Sequence, residues 1–204
     1  MLALLGLAAL AVAALSLAWP GRSPGAPPPD SQLAAVGTLR PLERPAATLT
    51  PVPAPAFTAL PARLIIGKIG VDAAVTVKGV EADGAMQNPD GPEDVAWYDF
   101  TARPGEGGNA VLSGHVDYRD YGPAVFARLR DLAPGDLVEV RLDDGALHRY
   151  GVTLSVLYPA DTAPAQEIVG PTGREMVTLV TCGGTWQGRP RGYSHRLVVR
   201  ADHL

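Results

Sequence analysis

Cysteine and charge are both scarce in this 204-residue chain. Cys182 is the single cysteine, which excludes an intrachain disulfide framework and a cysteine-rich zinc site. Only 19% of the residues are charged, and 17 Lys+Arg against 21 Asp+Glu give a net charge of −4. Because nucleic-acid-binding domains usually carry a basic patch or stripe, no nucleic-acid partner is expected.

Apolar residues, glycine and proline are abundant. The 47% of apolar residues exclude general disorder, since such a chain can bury a core. The 20 prolines argue against a helical bundle, because proline is poorly tolerated inside helices. The length fits one domain of ordinary size with additional tails.

The N-terminal segment, residues 1–19, has the composition of a membrane anchor. From Leu2 to Trp19 there is no charged residue, and a helix needs about 17–25 apolar residues to cross a bilayer. The segment therefore predicts an apolar transmembrane helix. A cleaved signal peptide stays open as the alternative, because Ser16-Leu17-Ala18 is a small-x-small site.

Residues 20–60 have the composition of a linker, with ten of the 20 prolines and few large side chains. Such a stretch buries too little apolar surface to fold, and proline makes it a semi-stiff tether. Three dispersed arginines in it would place the remainder in the cytoplasm by the positive-inside rule, but they are a weak signal. We expect a single-pass cell-membrane protein with residues 61–204 as an extracytoplasmic domain.

Residues 61–204 show short strand-like runs separated by Gly, Pro and Asp. The runs are Arg63–Ile66, Val71–Val77, Ala110–Leu112, Leu137–Leu142, Arg149–Leu157, Met176–Thr181 and Arg196–Arg200. Asp143-Asp144-Gly145 between two runs predicts a hairpin. Only Ala124–Leu132 has a helical pattern, and it is short. Seven or eight strands at this spacing predict an all-β fold, either a sandwich or a closed barrel.

Cys182 is placed where a reactive thiol could act. It follows the apolar run Val177–Thr181 and precedes Gly183-Gly184, so we expect it at the end of a strand, held rigidly yet accessible. A lone cysteine is a buried small hydrophobe, an intermolecular link or a reactive thiol, and the pattern leaves these three open.

A thiol nucleophile needs an imidazole partner and nearby positive charge. His115 follows the Ala110–Leu112 run, which gives it the same strand-exit placement as Cys182. Arg196 begins the last run, and antiparallel pairing with the preceding strand would bring it close to Cys182, where a guanidinium could stabilise an oxyanion.

Other titratable residues have plainer interpretations. Asp117 is either an orienting partner of His115 or a solvated turn carboxylate, and both remain open. His148 and His203 are most simply surface residues. A metal site at His115 and Asp117 would need a third ligand that the spacing does not offer, so no metal or cofactor is expected.

The order His115, Cys182, Arg196 resembles that of sortases, the surface-anchored cysteine transpeptidases of bacteria. Thr178-Leu179-Val180-Thr181-Cys182 is similar to their TLxTC motif, and Gly114-His115-Val116-Asp117 to their histidine segment. The resemblance extends over nearly all of residues 61–204 and looks most like the actinobacterial-type E/F group or the related D class.

The resemblance implies a closed eight-stranded sortase-type β-barrel with one or two short helices. It implies His115, Cys182 and Arg196 as catalytic residues, with Asp117 and Thr181 in support, and the 158–175 loop beside the substrate groove. The implied reaction cleaves an LPxTG- or LAxTG-like sorting motif of a surface protein between Thr and Gly through a thioacyl-enzyme. The acyl group then passes to an amine on a peptidoglycan precursor or a pilin.

Two other classes of protein remain as alternatives. One is another exported cysteine enzyme of the cell wall, although a papain-like amidase would place Cys before His, and the Ser-x-Gly-Cys setting of an L,D-transpeptidase is absent around Cys182. The other is a non-catalytic exported β-barrel that acts as a binding module and buries its cysteine.

Overall fold

A computed structural model describes residues 59–204, which form ten strands and one short α-helix. The predicted N-terminal helix (1–19) and nearly all of the predicted linker lie outside the described residues. Within residues 59–204, no helix is both long enough and apolar enough to cross a membrane. The strands are β1 Pro61–Ile66, β2 Val71–Lys78, β3 Val95–Tyr98, β4 Asn109–Gly114, β5 Asp117–Tyr118, β6 Gly122–Pro123, β7 Leu137–Leu142, β8 Leu147–Pro159, β9 Met176–Trp186 and β10 Tyr193–His203, and the helix is α1 Ala165–Val169.

Eight of the strands close into a barrel in the order β1-β2-β3-β4-β9-β10-β8-β7, with β7 returning to β1. The β2–β3 and β4–β9 pairs are parallel, and the remaining barrel pairs are antiparallel. Strands β5 and β6 form a separate two-stranded ribbon. The expected all-β, eight-stranded closed barrel is therefore confirmed.

Alternation of apolar and polar residues explains how a strand of this barrel buries one face, as β7 shows. In β7, Val138, Val140 and Leu142 are buried while Leu137 and Arg141 are exposed, which is the period-two pattern of a strand with one face in the core. Most core residues share one cluster; its largest fully buried members are Trp97, Tyr150, Phe126, Leu64, Ile66, Leu112, Leu129 and Leu179. Tyr98 packs in a second cluster with Ala96 and Val111.

The predicted hairpin at Asp143-Asp144-Gly145 joins β7 to β8, which pair antiparallel. The Gly145 N–H donates to the Leu142 carbonyl at 3.1 Å, and Gly145 has a φ of 91°. That conformation is strained for a residue with a Cβ, so the glycine fixes this turn.

Two local predictions were wrong. Ala124–Leu132 is not an α-helix: four of its internal N–H groups donate to carbonyls three residues back, at 2.9–3.2 Å, as in turns and 3₁₀ helices. The N–H groups of Ala124, Val125 and Phe126 donate to carbonyls of other segments, at 2.8–3.1 Å. Only the 3₁₀ turn Leu129–Asp131 remains there. The α-helix lies instead at Ala165–Val169, in a segment whose prolines and glycines indicated a loop.

Strand β3 is absent from the runs identified by pattern. Its four residues, Val95–Tyr98, are all buried, so the strand shows no apolar–polar alternation and is too short to be recognised by length. It lies between β2 and β4, where both of its faces are covered.

Candidate active site

Cys182 lies on β9 directly opposite Arg196 on β10. Directly opposed residues of an antiparallel pair project from the same face of the sheet. The predicted approach of the two residues through antiparallel pairing is confirmed. The expected strand end is wrong, because β9 continues to Trp186 and its pairing with β10 continues to Tyr193.

The β9–β10 ladder is irregular immediately after Cys182. Gly183 pairs with His195 and Trp186 pairs with Tyr193, so β9 holds one residue more than β10 across this interval. Gly184, inside it, has a φ of 75°, and a Cβ there would lie 2.4 Å from Ser194 Oγ. Bulges of this kind re-aim neighbouring side chains and are common beside active sites. Gly184, which the sequence pattern placed beyond the strand end, therefore permits a bulge within β9.

His115 follows β4 directly, as its strand-exit placement predicts. Its carbonyl accepts the Phe126 N–H at 2.9 Å. Its ring Nε2 lies 3.3 Å from the Pro89 carbonyl, to which only a protonated Nε2 can donate. The ring also contacts Tyr118 edge-on, with centroids 5.2 Å apart. His115 and Cys182 both line one cleft of about 880 Å³.

Thr181 connects the strand that carries Cys182 to the strand that precedes His115. Its buried hydroxyl donates to the Gly114 carbonyl at 2.7 Å, just beyond the last β4–β9 pair, Ser113 with Val180. A Cβ on Gly114 would lie 2.7 Å from Phe126 side-chain atoms, so the Phe126 ring packs directly against the strand backbone at this point. The bond sets the position of the Cys182 strand relative to His115.

Burial dominates the electrostatics of the thiol. It raises the pKa of Cys182, while the charge of Arg196 lowers that pKa and the charge of Asp117 raises it. The Arg196 Nη1 donates to the carbonyls of Tyr193 and His195, at 3.2 and 3.0 Å, which holds the guanidinium in place. The thiol therefore lies beside a fixed cation whose charge favours the thiolate, against the opposing effect of burial.

Asp117 accepts a hydrogen bond from the Tyr193 hydroxyl, and this bond raises the pKa of Tyr193 to about 12. Asp117 itself is exposed, and the side-chain hydrogen bond that the structure gives it comes from Tyr193 and not from His115. Tyr193 also lines the clefts that contain Cys182. No sequence pattern indicated Tyr193, because its partner Asp117 is 76 positions away.

A second cleft, of about 770 Å³, also reaches Cys182 and has apolar sides formed by Phe126, Leu157 and Leu197. Residues 158–175, which were expected beside the groove, contribute no residue to it. Two carbonyls of that segment, those of Ile168 and Gly170, instead accept the Asn109 side-chain amide. Asn109 begins β4, so this contact lies at the end of β4 away from His115.

The comparisons with known proteins agree with this arrangement. The family model described as Sortase domain matches residues 64–204. Sortase C-1 of Actinomyces oris shares 25% identity and a TM-score of 0.54, covering 70% of this chain and 71% of that one. The Clostridium perfringens sortase D5 transpeptidase shares 22% identity and a TM-score of 0.52, covering 71% and 78%. No curated protein matches the chain.

A cysteine that lines two clefts, an opposed guanidinium and a histidine in one of those clefts are the components of a thiol-dependent acyl-transfer site. The chain belongs to the sortase family, and it is therefore a cysteine transpeptidase.

Proposed function

We propose that this sortase cleaves an LPxTG- or LAxTG-like sorting motif between Thr and Gly, and transfers the acyl group to an amine on a peptidoglycan precursor or a pilin. The observation that carries the proposal is that the chain's single cysteine lies opposite Arg196 and shares a cleft with His115. A cysteine transpeptidase with one cysteine has only Cys182 as its nucleophile.

In the acylation step, the Cys182 thiolate attacks the carbonyl carbon of the motif's threonine. Arg196 stabilises the oxyanion that forms, because its guanidinium is already fixed by backbone carbonyls. His115, as the imidazolium, protonates the leaving glycine amine. The C–N bond breaks and a C–S bond remains, which gives a thioacyl-enzyme, a free amine and a neutral His115.

In the transfer step, neutral His115 accepts a proton from the incoming amine. The amine nitrogen attacks the thioester carbonyl, the C–S bond breaks, and a new amide forms. Cys182 is released as a thiolate beside His115 imidazolium, which is the starting pair of the first step. Protons and bonds therefore balance over the cycle without a metal or cofactor.

Asp117 and Thr181 act in support. Thr181 fixes the distance between the two strands through Gly114. Asp117 holds the Tyr193 hydroxyl at the edge of the cleft. The apolar side of the second cleft, with Leu157 and Leu197, offers contacts for the leucine and the proline or alanine of the motif.

The location proposed for this chemistry follows from residues 1–60. An apolar anchor at 1–19 and a proline-rich tether would hold the catalytic domain on the extracytoplasmic side of the cell membrane, where surface proteins and cell-wall amines meet. The E/F-like or D-like class remains a prediction from the sequence.

The test is a transpeptidation assay with the full-length chain in detergent. A small library of LPxTG- and LAxTG-like peptides is incubated with an amine acceptor, and the products are read by mass. We expect a product in which the threonine carbonyl is joined to the acceptor, and no product from Cys182→Ala. Cleavage by Cys182→Ala, or cleavage of the library at other bonds only, would contradict the proposal.

A further inference from the structure

A second cluster of reactive side chains lies at the opposite end of the barrel from Cys182. His148 on β8, Glu175 just before β9 and His203 at the end of β10 each offer one donor atom, and these atoms lie within 4.8 Å of one another. Glu175 directly precedes β9 and lies seven positions before Cys182. At the rise per residue of a β-strand, the two residues are about 20 Å apart.

The carboxylate of Glu175 is held in place by its own hydrogen bonds. Its Oε1 accepts the Gly105 N–H at 2.9 Å and the Tyr150 hydroxyl at 2.8 Å. A carboxylate has about four acceptor positions, so these bonds leave capacity for another partner. Outer hydrogen bonds to a carboxylate or histidine ligand are a regular feature of metal sites, because they fix the ligand's orientation.

The two histidines are also held in place. A Cβ on Gly105, which has a φ of 92°, would lie 2.4 Å from Cε1 of His148, so only glycine allows the ring to rest there. His203 Nε2 lies 3.8 Å from Glu175 Oε1, and the His203 backbone N–H donates to the Glu175 carbonyl at 3.3 Å. The His203 ring packs against Tyr150 edge-on, with centroids 5.4 Å apart.

We propose that His148, Glu175 and His203 form a zinc-binding site that ties the end of β10 to β8 and to the start of β9. Two imidazoles and one carboxylate are a common three-residue ligand set for Zn²⁺, with water as the fourth ligand. Neighbouring ligand atoms around tetrahedral zinc lie about 3.3 Å apart, so the three groups need to close by roughly an ångström. Mixed nitrogen and oxygen ligands favour a transition metal over Ca²⁺, which takes six to eight oxygens.

This site is distinct from the catalytic thiol, so its test starts from the Cys182→Ala variant. That substitution removes the one thiolate that could bind zinc beside His115. The full-length protein, purified in detergent without a polyhistidine tag, competes for Zn²⁺ with a chromophoric chelator. We expect one bound equivalent, and a loss of affinity of at least about tenfold in His148→Gln and in His203→Gln.

The matched control is His195→Gln, which removes a histidine outside the cluster and should keep the zinc affinity of the parent. Affinity in His148→Gln and His203→Gln equal to that of the parent would overturn the proposal. So would zinc affinity in the parent no stronger than in the His148→Gln/His203→Gln double variant; the three side chains would then be neighbours without a metal-binding function.

Two further measurements keep the test independent of variant folding. Zn²⁺ should raise the thermal unfolding midpoint of the parent while Ca²⁺ at the same concentration does not, because a ligand that binds only the folded state stabilises it. Co²⁺ should give the visible absorption of a four- or five-coordinate nitrogen and oxygen site, and Zn²⁺ should displace it. Equal shifts with both ions, or no displaceable Co²⁺ spectrum, would contradict the assignment.

Discussion

The two ends of the barrel use the same two strands, β9 and β10, for different chemistry. At one end a thiol lies opposite a guanidinium, and the carboxylate whose charge acts on that thiol, Asp117, accepts a hydrogen bond from Tyr193. At the other end a carboxylate, Glu175, lies between two imidazoles. A cation beside sulfur favours a nucleophile, whereas an anion among imidazoles favours a bound cation. The function proposed for each end therefore depends on its central group, the Cys182 thiol at one end and the Glu175 carboxylate at the other.

The largest expected effect is a loss of transfer activity when His115, at the Cys182 end of the barrel, is replaced. His115→Ala should lower the rate of peptide transfer by at least about a hundredfold, because the proton donor and acceptor of both steps is lost. Transfer is measured by mass with the full-length protein in detergent. The control is Arg149→Ala, an exposed residue of β8 paired with Glu139, which should keep the wild-type rate.

A similar loss in both variants would show that the defect is one of folding. Full transfer activity in His115→Ala would remove this histidine from the mechanism.

A smaller effect is expected from a change of guanidinium to ammonium on β10. Arg196→Lys should lower the turnover number about ten- to a hundredfold, since a point charge replaces a planar fork that is fixed by two carbonyls. Arg200→Lys is the matched control on the same strand, four residues towards the other end, where Arg200 donates to the Glu167 carbonyl. Equal turnover in the two variants would contradict an oxyanion role for Arg196.

The pH dependence of alkylation sharpens the account of the thiol. Because burial raises the pKa of Cys182, its reaction with iodoacetamide should reach half its maximum rate above the pH range of an ordinary cysteine. Removing the favourable charge in Arg196→Gln should move this midpoint to higher pH. Removing the unfavourable charge in Asp117→Asn should move it to lower pH, since the thiolate then forms more easily.

Shifts in the reverse directions would overturn this electrostatic account. A thiol that resists alkylation at every pH would contradict the role of Cys182 as the nucleophile.

The sequence was sufficient to predict the contacts made by neighbouring strands. The hairpin at 143–145 and the Cys182–Arg196 pairing follow from apolar runs and turn residues, because these contacts need only adjacent strands to align. The position of His115 after β4 follows in the same way.

Contacts created by closure of the barrel could not be predicted. Tyr193 reaches Asp117, and the His203 ring reaches that of His148, only because strands that are not consecutive in the sequence become neighbours. The surface interpretation of His148 and His203 therefore missed their shared carboxylate. The false helix at 124–132 has the same origin, because its backbone donors bond to segments that local pattern does not reveal.

The smallest expected effect concerns the two threonines of the β9 motif. Thr181→Val leaves the Gly114 carbonyl without its buried donor, which should lower the free energy of unfolding by about 1–3 kcal/mol. Thr178→Val breaks the analogous bond to Asn109 Oδ1, 2.7 Å long, at the other end of β4, and should cost a similar amount. Urea unfolding of the full-length chain measures both, with the exposed Thr185→Val as a control that changes little.

Transfer activity should distinguish the two threonines even though their stabilities fall together. Thr181 fixes the strand end from which His115 projects, so Thr181→Val should lower turnover several-fold at a temperature where the protein is fully folded. Thr178 lies three residues further from the thiol than Thr181 does, so Thr178→Val should keep wild-type turnover under the same conditions. If both variants lost turnover in proportion to their lost stability, Thr181 would be a structural residue only, and the geometry of the Cys182 end would not depend on this hydrogen bond.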